Sequence, residues 1–281
     1  MTKKPDSVLP ETPEVSDSLT ADAFSIDPWI QLKKFTQARI ALGRVGSSLP
    51  TKEVLDFGLA HAMARDAVHL ALDVDVLEAG IQSQGFNTLR VHSRAPDRAS
   101  YLLRPDWGRS LNQDSLNVLE DYKKQKVDIA EPIDFLIVVG DGLSSLAVSR
   151  HVQPMLEALR NVLPVEWKLG PVVIASQARV AISDEIGQAL GARMVAMLIG
   201  ERPGLSSPDS LGVYLTYSPK RGGSDADRNC ISNVRPEGLH YAAAAKKLVW
   251  LAKEASRLKL SGVALKDESD MQEISQQTSL E

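Results

Sequence analysis

From Asp134 onward the chain alternates dense apolar runs with amphipathic stretches. FLIVVGDG, starting at Phe135, is a continuous apolar run that stops at glycine, the mark of a strand buried on both faces. PVVIAS (171–176) and RMVAMLIGE (193–201) read the same way. LGVYLTYSP (211–219) alternates partially, which suggests a strand at a sheet edge. Between the first two runs, Leu146, Val148, Met155, Leu156 and Leu159 trace a helix. Ser183 opens another, with Ile186 and Leu190 four apart and Gly191 as its stop. A closing helix is predicted from about Pro236 to Lys259. Strands alternating with helices predict an α/β fold with a mostly parallel sheet flanked by helices. No internal repeat is visible.

Ahead of Asp134 the pattern is helical. Trp29, Leu32, Phe35 and Ile40 recur at near-helical spacing, and the Gly- and Ser-rich GRVGSSLP then breaks the run. A second helix follows with Thr51 as its expected N-cap. Val54, Leu55, Leu59, Met63, Val68 and Leu72 trace one of its faces. His61 and His69 lie eight residues apart on it, but a metal site needs more ligands than these, so they read as surface or interface histidines. The expected organisation is a disordered arm over 1–26, a helical extension and lead-in over 27–130, an α/β domain over 131–265 and a disordered tail over 266–281. Both ends are too rich in Pro, Ser, Thr, Asp, Glu and Gln to bury a core.

Charge and composition narrow the function. The formal net charge of −4 gives no basic field for nucleic acid. Cys230 is the single cysteine among 281 residues, so no internal disulfide exists and a reducing, cytoplasmic location is expected. No apolar run approaches the roughly 20 residues that span a bilayer, so no membrane is expected as a partner. The first residues lack the apolar core of a secretory signal.

Open parallel sheets place ligands outside the carboxyl ends of their strands. Three loops leave such ends: GDGLSS (140–145), ASQARVAISDE (175–185) and GERPGLSSPDS (200–210). In the first, Gly140 and Gly142 allow close backbone approach, and Ser144 and Ser145 offer hydroxyls at a helix start. The loop is only a fragment of a dinucleotide fingerprint, with Ser145 at the third glycine position, and it is neither a Walker loop nor a nucleophile elbow. A tight turn explains its glycines equally well. Glu201, at a strand end, is placed either to accept ligand hydrogen bonds or to pair with Arg202. Cys230 is ordinarily a small buried hydrophobe. No complete acid, base and nucleophile constellation emerges, so no catalytic or metal-ligating residue is assigned. No Asp-x-His-x-x-Gly element occurs, so no histidine has the context of a cobalt ligand.

At this point the chain resembles a known family. DPWIQLKKFTQARIALGRVGSSLPTKEVLDFGLAHAMARDAVH, FLIVVGDGLSSLAV, ARVAISDEIG, LIGERPGLSSPDSLGVYLTYSP and DRNCISNVRPEGL are similar to the ethanolamine ammonia-lyase light (small) subunit, from about Ile26 to Gly262. The resemblance implies a nucleotide-fold-like sheet with an N-terminal helical extension. It also implies a subunit of an adenosylcobalamin-dependent carbon–nitrogen lyase that converts ethanolamine to acetaldehyde and ammonia. The cofactor is expected between this chain and a heavy, barrel-shaped catalytic subunit, and this chain alone is expected to be inactive. The family's cobalamin contacts fall here on Val180, Glu201 and Cys230, with Gly140, Gly142, Ser144 and Ser145 as weaker candidates for the corrin periphery. In some relatives the N-terminal region directs the enzyme to a bacterial microcompartment. Here residues 1–25 are polar and proline-interrupted, so cytoplasm and microcompartment both stand. Two other readings are an independent nucleotide-binding α/β enzyme with Asp141 or Glu201 as base, and a structural adaptor subunit.

Overall fold

The computed structural model describes residues 28–36, 38–125 and 132–269. The expected arm, and all but the first residues of the expected tail, lie outside that set. The chain divides into two compact units, Met1–Asp56 and Phe57–Glu281. In the first, a 3-10 helix spans Pro28–Lys34, and Val45 and Ser48 exchange backbone hydrogen bonds across the predicted break. The longer helix expected through Ile40 is replaced by this shorter, tighter turn. Helix α1, Thr51–His69, begins at Thr51 itself. Its apolar stripe is not a core face, since Leu59 and Met63 are 63% and 51% exposed.

The second unit is an α/β fold. A six-stranded sheet has the order β1-β3-β2-β4-β5-β6, with β1 Thr88–His92, β2 Phe135–Gly140, β3 Val172–Ser176, β4 Met194–Gly200, β5 Leu211–Tyr217 and β6 Arg228–Val234. The first four strands in that order run parallel, and β5 and β6 are antiparallel additions. Every residue of β2 and β4 is buried, as their unbroken apolar runs require.

Two edges depart from the sequence expectation. LGVYLTY is β5 and lies between β4 and β6, not at an edge. Its alternation arises because Leu211, Val213 and Leu215 face one core while Tyr214 is only half covered on the other side. The edges are β1 and β6, which the sequence reading does not contain. TLRVH and RNCISNV carry polar residues at positions that only one neighbour covers.

Helices cover both faces. On one side α2 (Val74–Ser83), α5 (Ser145–Arg160) and α7 (Tyr241–Leu258) pack on Phe135, Ile137, Val139, Met194, Ala196, Leu198, Val213 and Leu215. On the other, α4 (Gln113–Gln125) and α6 (Ile182–Leu190) cover Leu136, Val138, Val195, Met197 and Ile199. A short helix α3, Arg98–Leu103, follows β1 and buries Tyr101. Gly191 ends α6 in the left-handed conformation, as predicted. Helix α7 starts at Tyr241, five residues after the expected Pro236, with His240 as N-cap. No helix among the described residues is long and apolar enough to cross a membrane.

Candidate functional site

The chain leaves β2 through α5 to β3 on one flank, then passes through α6 to β4 on the other. The connections therefore diverge between β2 and β4, and the crevice outside their carboxyl ends is where such sheets bind ligands. The GDGLSS and GERPG loops meet there. Leu143 N donates to Gly200 O at 3.0 Å. Gly142 has φ +59°, and a Cβ on it would stand 2.2 Å from Gly200 O. Only glycine fits both the conformation and the contact.

The hydroxyls and carboxylate of GDGLSS are already engaged or buried. Ser144 caps α5, accepting from Ala147 N at 3.2 Å and donating to Pro208 O at 2.8 Å. Ser145 is buried, and its hydroxyl has no hydrogen-bond partner among the described residues. Gly140 closes β2, where a Cβ would meet Met197 Cε at 2.4 Å. Asp141 is buried and accepts from Gln177 N at 2.9 Å and Ala178 N at 2.8 Å, with Arg98 Nη1 at 3.5 Å. Burial raises its pKa against the pull of those amides and Arg98. Asp141 thus clamps the turn between β3 and α6, the turn that carries Val180, and is not set out as a base.

On the other face of β5 and β6, Cys230 and Ser232 are exposed and Tyr214 is half-buried, whereas Gly212, Thr216 and Arg228 are buried. Glu201 follows β4, and its Oε2 accepts from Asn233 N at 3.2 Å. The register explains this bond. Leu211 pairs with Val234 and Val213 with Ile231, so Ser232 and Asn233 together oppose Gly212. That bulge turns Asn233 to φ +59° and releases its N–H from the ladder. A Cβ on Gly212 would lie 3.1 Å from both Cγ and Oε1 of Glu201, so the carboxylate lies over that glycine. Among the described residues Oε1 accepts no hydrogen bond, and no ion pair joins Glu201 to Arg202.

Tyr214 pairs with Cys230 in register. Burial pushes the Tyr214 phenol up, and Cys230 and Glu201 push it further, so it stays a neutral hydroxyl. Cys230 is exposed, contrary to the ordinary habit of a free cysteine, with Sγ 3.3 Å from Ser232 Oγ. Val180 is partly buried against the same core cluster as Tyr214. Val180, Glu201 and Cys230 thus lie on one face of the sheet, beside the start of α6. Sequence reasoning missed Tyr214, Ser232 and Asn233. The polar positions of GVYLTY were the available signal for Tyr214, but the bulge had none. His61 and His69 are both exposed, and no group of three or more metal-ligating side chains occurs among the described residues.

Fold and crevice define an α/β protein whose open polar face lies beside a topological switch point. The chain matches the ethanolamine ammonia-lyase light chain family over residues 26–266 and belongs to it. It is 53% identical over 271 residues to the ethanolamine ammonia-lyase small subunit of Pseudomonas syringae pv. tomato, covering 95% of this chain and 91% of that one. It is 56% identical over 251 residues to that of Pseudomonas fluorescens strain Pf0-1, covering 88% and 90%. With that of Azotobacter vinelandii it shares 54% over 246 residues, covering 87% and 90%.

Proposed function

We propose that this chain binds adenosylcobalamin at its interface with a heavy catalytic subunit, and that the pair converts ethanolamine to acetaldehyde and ammonia. The observation that carries the reading is the open face formed by Glu201, Tyr214, Cys230 and Ser232 beside the switch point. A corrin is a broad disc with amide side chains, and it suits a wide polar surface better than a closed pocket. Glu201 has an oxygen left to accept from those amides, and it is held in place by Asn233. Tyr214 and Ser232 add neutral hydroxyls. Val180 adds an apolar edge. Cobalamin supplies the radical chemistry when bound, while the protein positions it and shields it from side reactions. The exposed Leu59 and Met63 of α1 fit burial against the heavy subunit.

The nucleotide-enzyme reading is weaker, because Asp141 and Ser144 are committed to holding loops. The test is to measure adenosylcobalamin retention by the heavy subunit, by this chain and by their complex. Tight retention by the complex alone is expected. Equal retention by the heavy subunit with and without this chain would leave it an adaptor.

A further inference from the structure

Two guanidinium groups lie over the buried ring of Tyr101. Arg179 Cζ stands 4.2 Å from the ring centroid and Arg98 Cζ 4.7 Å. Their charges are answered differently. Arg98 has Asp141 at 3.5 Å and donates to Gly142 O at 2.8 Å and Val68 O at 2.7 Å. Arg179 makes no ion pair among the described residues. Its one side-chain hydrogen bond is a 3.3 Å contact from Nη2 to Tyr101 O, and its Nε is buried with no partner. Arg179 as a whole is half-buried, but buried donors are ordinarily satisfied, so its unpartnered Nε is unusual.

The side chain is nonetheless held firmly. Arg179 N donates to Gly108 O at 2.8 Å, and a Cβ on Gly108 would press to 2.8 Å from Arg179 Cγ. Tyr101 is anchored in turn by its hydroxyl, which donates to Ala178 O at 3.2 Å. A fixed cation with no ion-pair partner among the described residues therefore sits at the carboxyl end of β3, next to Val180.

We propose that Arg179 binds the phosphodiester of the cobalamin nucleotide tail. The inference rests on the cobalamin reading above. On that reading the adenosyl face would meet the heavy catalytic subunit, and the opposite face, which carries the tail, would be turned towards this chain. The phosphodiester is the tail's single anion, and a planar guanidinium fork matches phosphate oxygens better than an ammonium does.

The experiment compares three corrinoids on the assembled complex. Adenosylcobalamin and adenosylcobinamide phosphate carry the phosphate, and adenosylcobinamide lacks it. Dissociation constants are measured by spectral titration for the wild type, Arg179→Gln and Arg179→Lys, with unfolding curves to confirm that each variant is folded. Arg179→Gln is expected to raise the Kd of the two phosphate-bearing corrinoids by roughly 10- to 100-fold and to leave adenosylcobinamide within about 2-fold. Arg179→Lys should fall between wild type and Arg179→Gln. Inorganic phosphate should compete for neither class at millimolar levels, because the corrin delivers the anion. Equal losses on all three corrinoids would make Arg179 a prop for Tyr101 and Val180, and no loss on any would remove it from the site; either overturns the inference and leaves the cobalamin reading standing. Failure of the wild-type complex to bind any corrinoid would overturn both.

Discussion

Glu201 Oε2 and Asn233 N stand 3.2 Å apart, joining the end of β4 to the end of β6 over the intervening Gly212. The contact exists because the β5–β6 register slips at that point, and it aims a carboxylate across the open face. Glu201→Gln keeps the shape and removes the charge. Charge-assisted hydrogen bonds are worth about 1.5–3 kcal/mol, and the amide retains part of that. Adenosylcobalamin should therefore bind the complex roughly 10-fold more weakly, with subunit assembly unchanged. Titration of the cofactor alongside sedimentation of the complex checks both halves. Unchanged affinity would leave Glu201 as a pin for the bulge alone.

Cys230 provides a covalent probe of the same face. Its thiol is exposed and unique in the chain. Iodoacetamide should label it readily in the free chain and slowly in the complex loaded with adenosylcobalamin. Labelling is read on the peptide containing Cys230 by mass spectrometry. Equal rates in the loaded complex, the empty complex and the free chain would place the cofactor elsewhere.

Arg228 and Asp184 form a buried ion pair that ties β6 to the start of α6, with side chains 2% and 1% exposed. Arg228 also donates to Asp225 Oδ1 at 2.7 Å. Burial raises the Asp184 pKa, and Arg228 holds it back from rising further. Arg228→Met removes that restraint and strands the carboxyl. It should cost about 3–5 kcal/mol in urea unfolding. Adding Asp184→Leu should recover most of the loss, since an apolar pair of similar volume removes both desolvation penalties. A double variant no more stable than Arg228→Met would contradict this account.

His151 sets a pH dependence. Its ring is buried on α5, with Nδ1 2.8 Å from Tyr241 Oη and Nε2 3.4 Å from Asp209 Oδ2. Burial lowers its pKa below the usual 6.5, and Asp209 only partly opposes that. The unfolded chain therefore takes up the proton first as pH falls. Stability contributed by neutral His151 is full above about pH 6.5 and declines below it until the folded pKa is passed. The slope is at most about 1.4 kcal/mol per pH unit. His151→Gln should flatten the profile between pH 6.5 and 5.5. Parallel profiles for variant and wild type would assign the slope to other groups.

The central strands and their helices were legible because their signals are local. FLIVVG, VVIAS and MVAMLIG are unbroken apolar runs, and a strand buried on both faces has no room for polar residues. The Ile186 and Leu190 spacing and the Gly191 stop likewise need only their own neighbours. The three loops at strand ends, with Val180 and Glu201 among them, follow from where those runs stop.

What the chain could not reveal on its own depended on pairing between distant segments. TLRVH and RNCISNV become edge strands only because β3 and β5 supply their hydrogen bonds, so neither needs a fully apolar pattern. The partial alternation of LGVYLTY suits either an edge strand or an interior strand with one half-open face, and only the arrival of β6 decided between them. The bulge at Asn233, the exposure of Cys230 and the unpartnered Nε of Arg179 among the described residues are tertiary facts for the same reason. Each is set by what a residue far along the chain leaves uncovered, and burial by a distant partner leaves no periodic trace in the sequence.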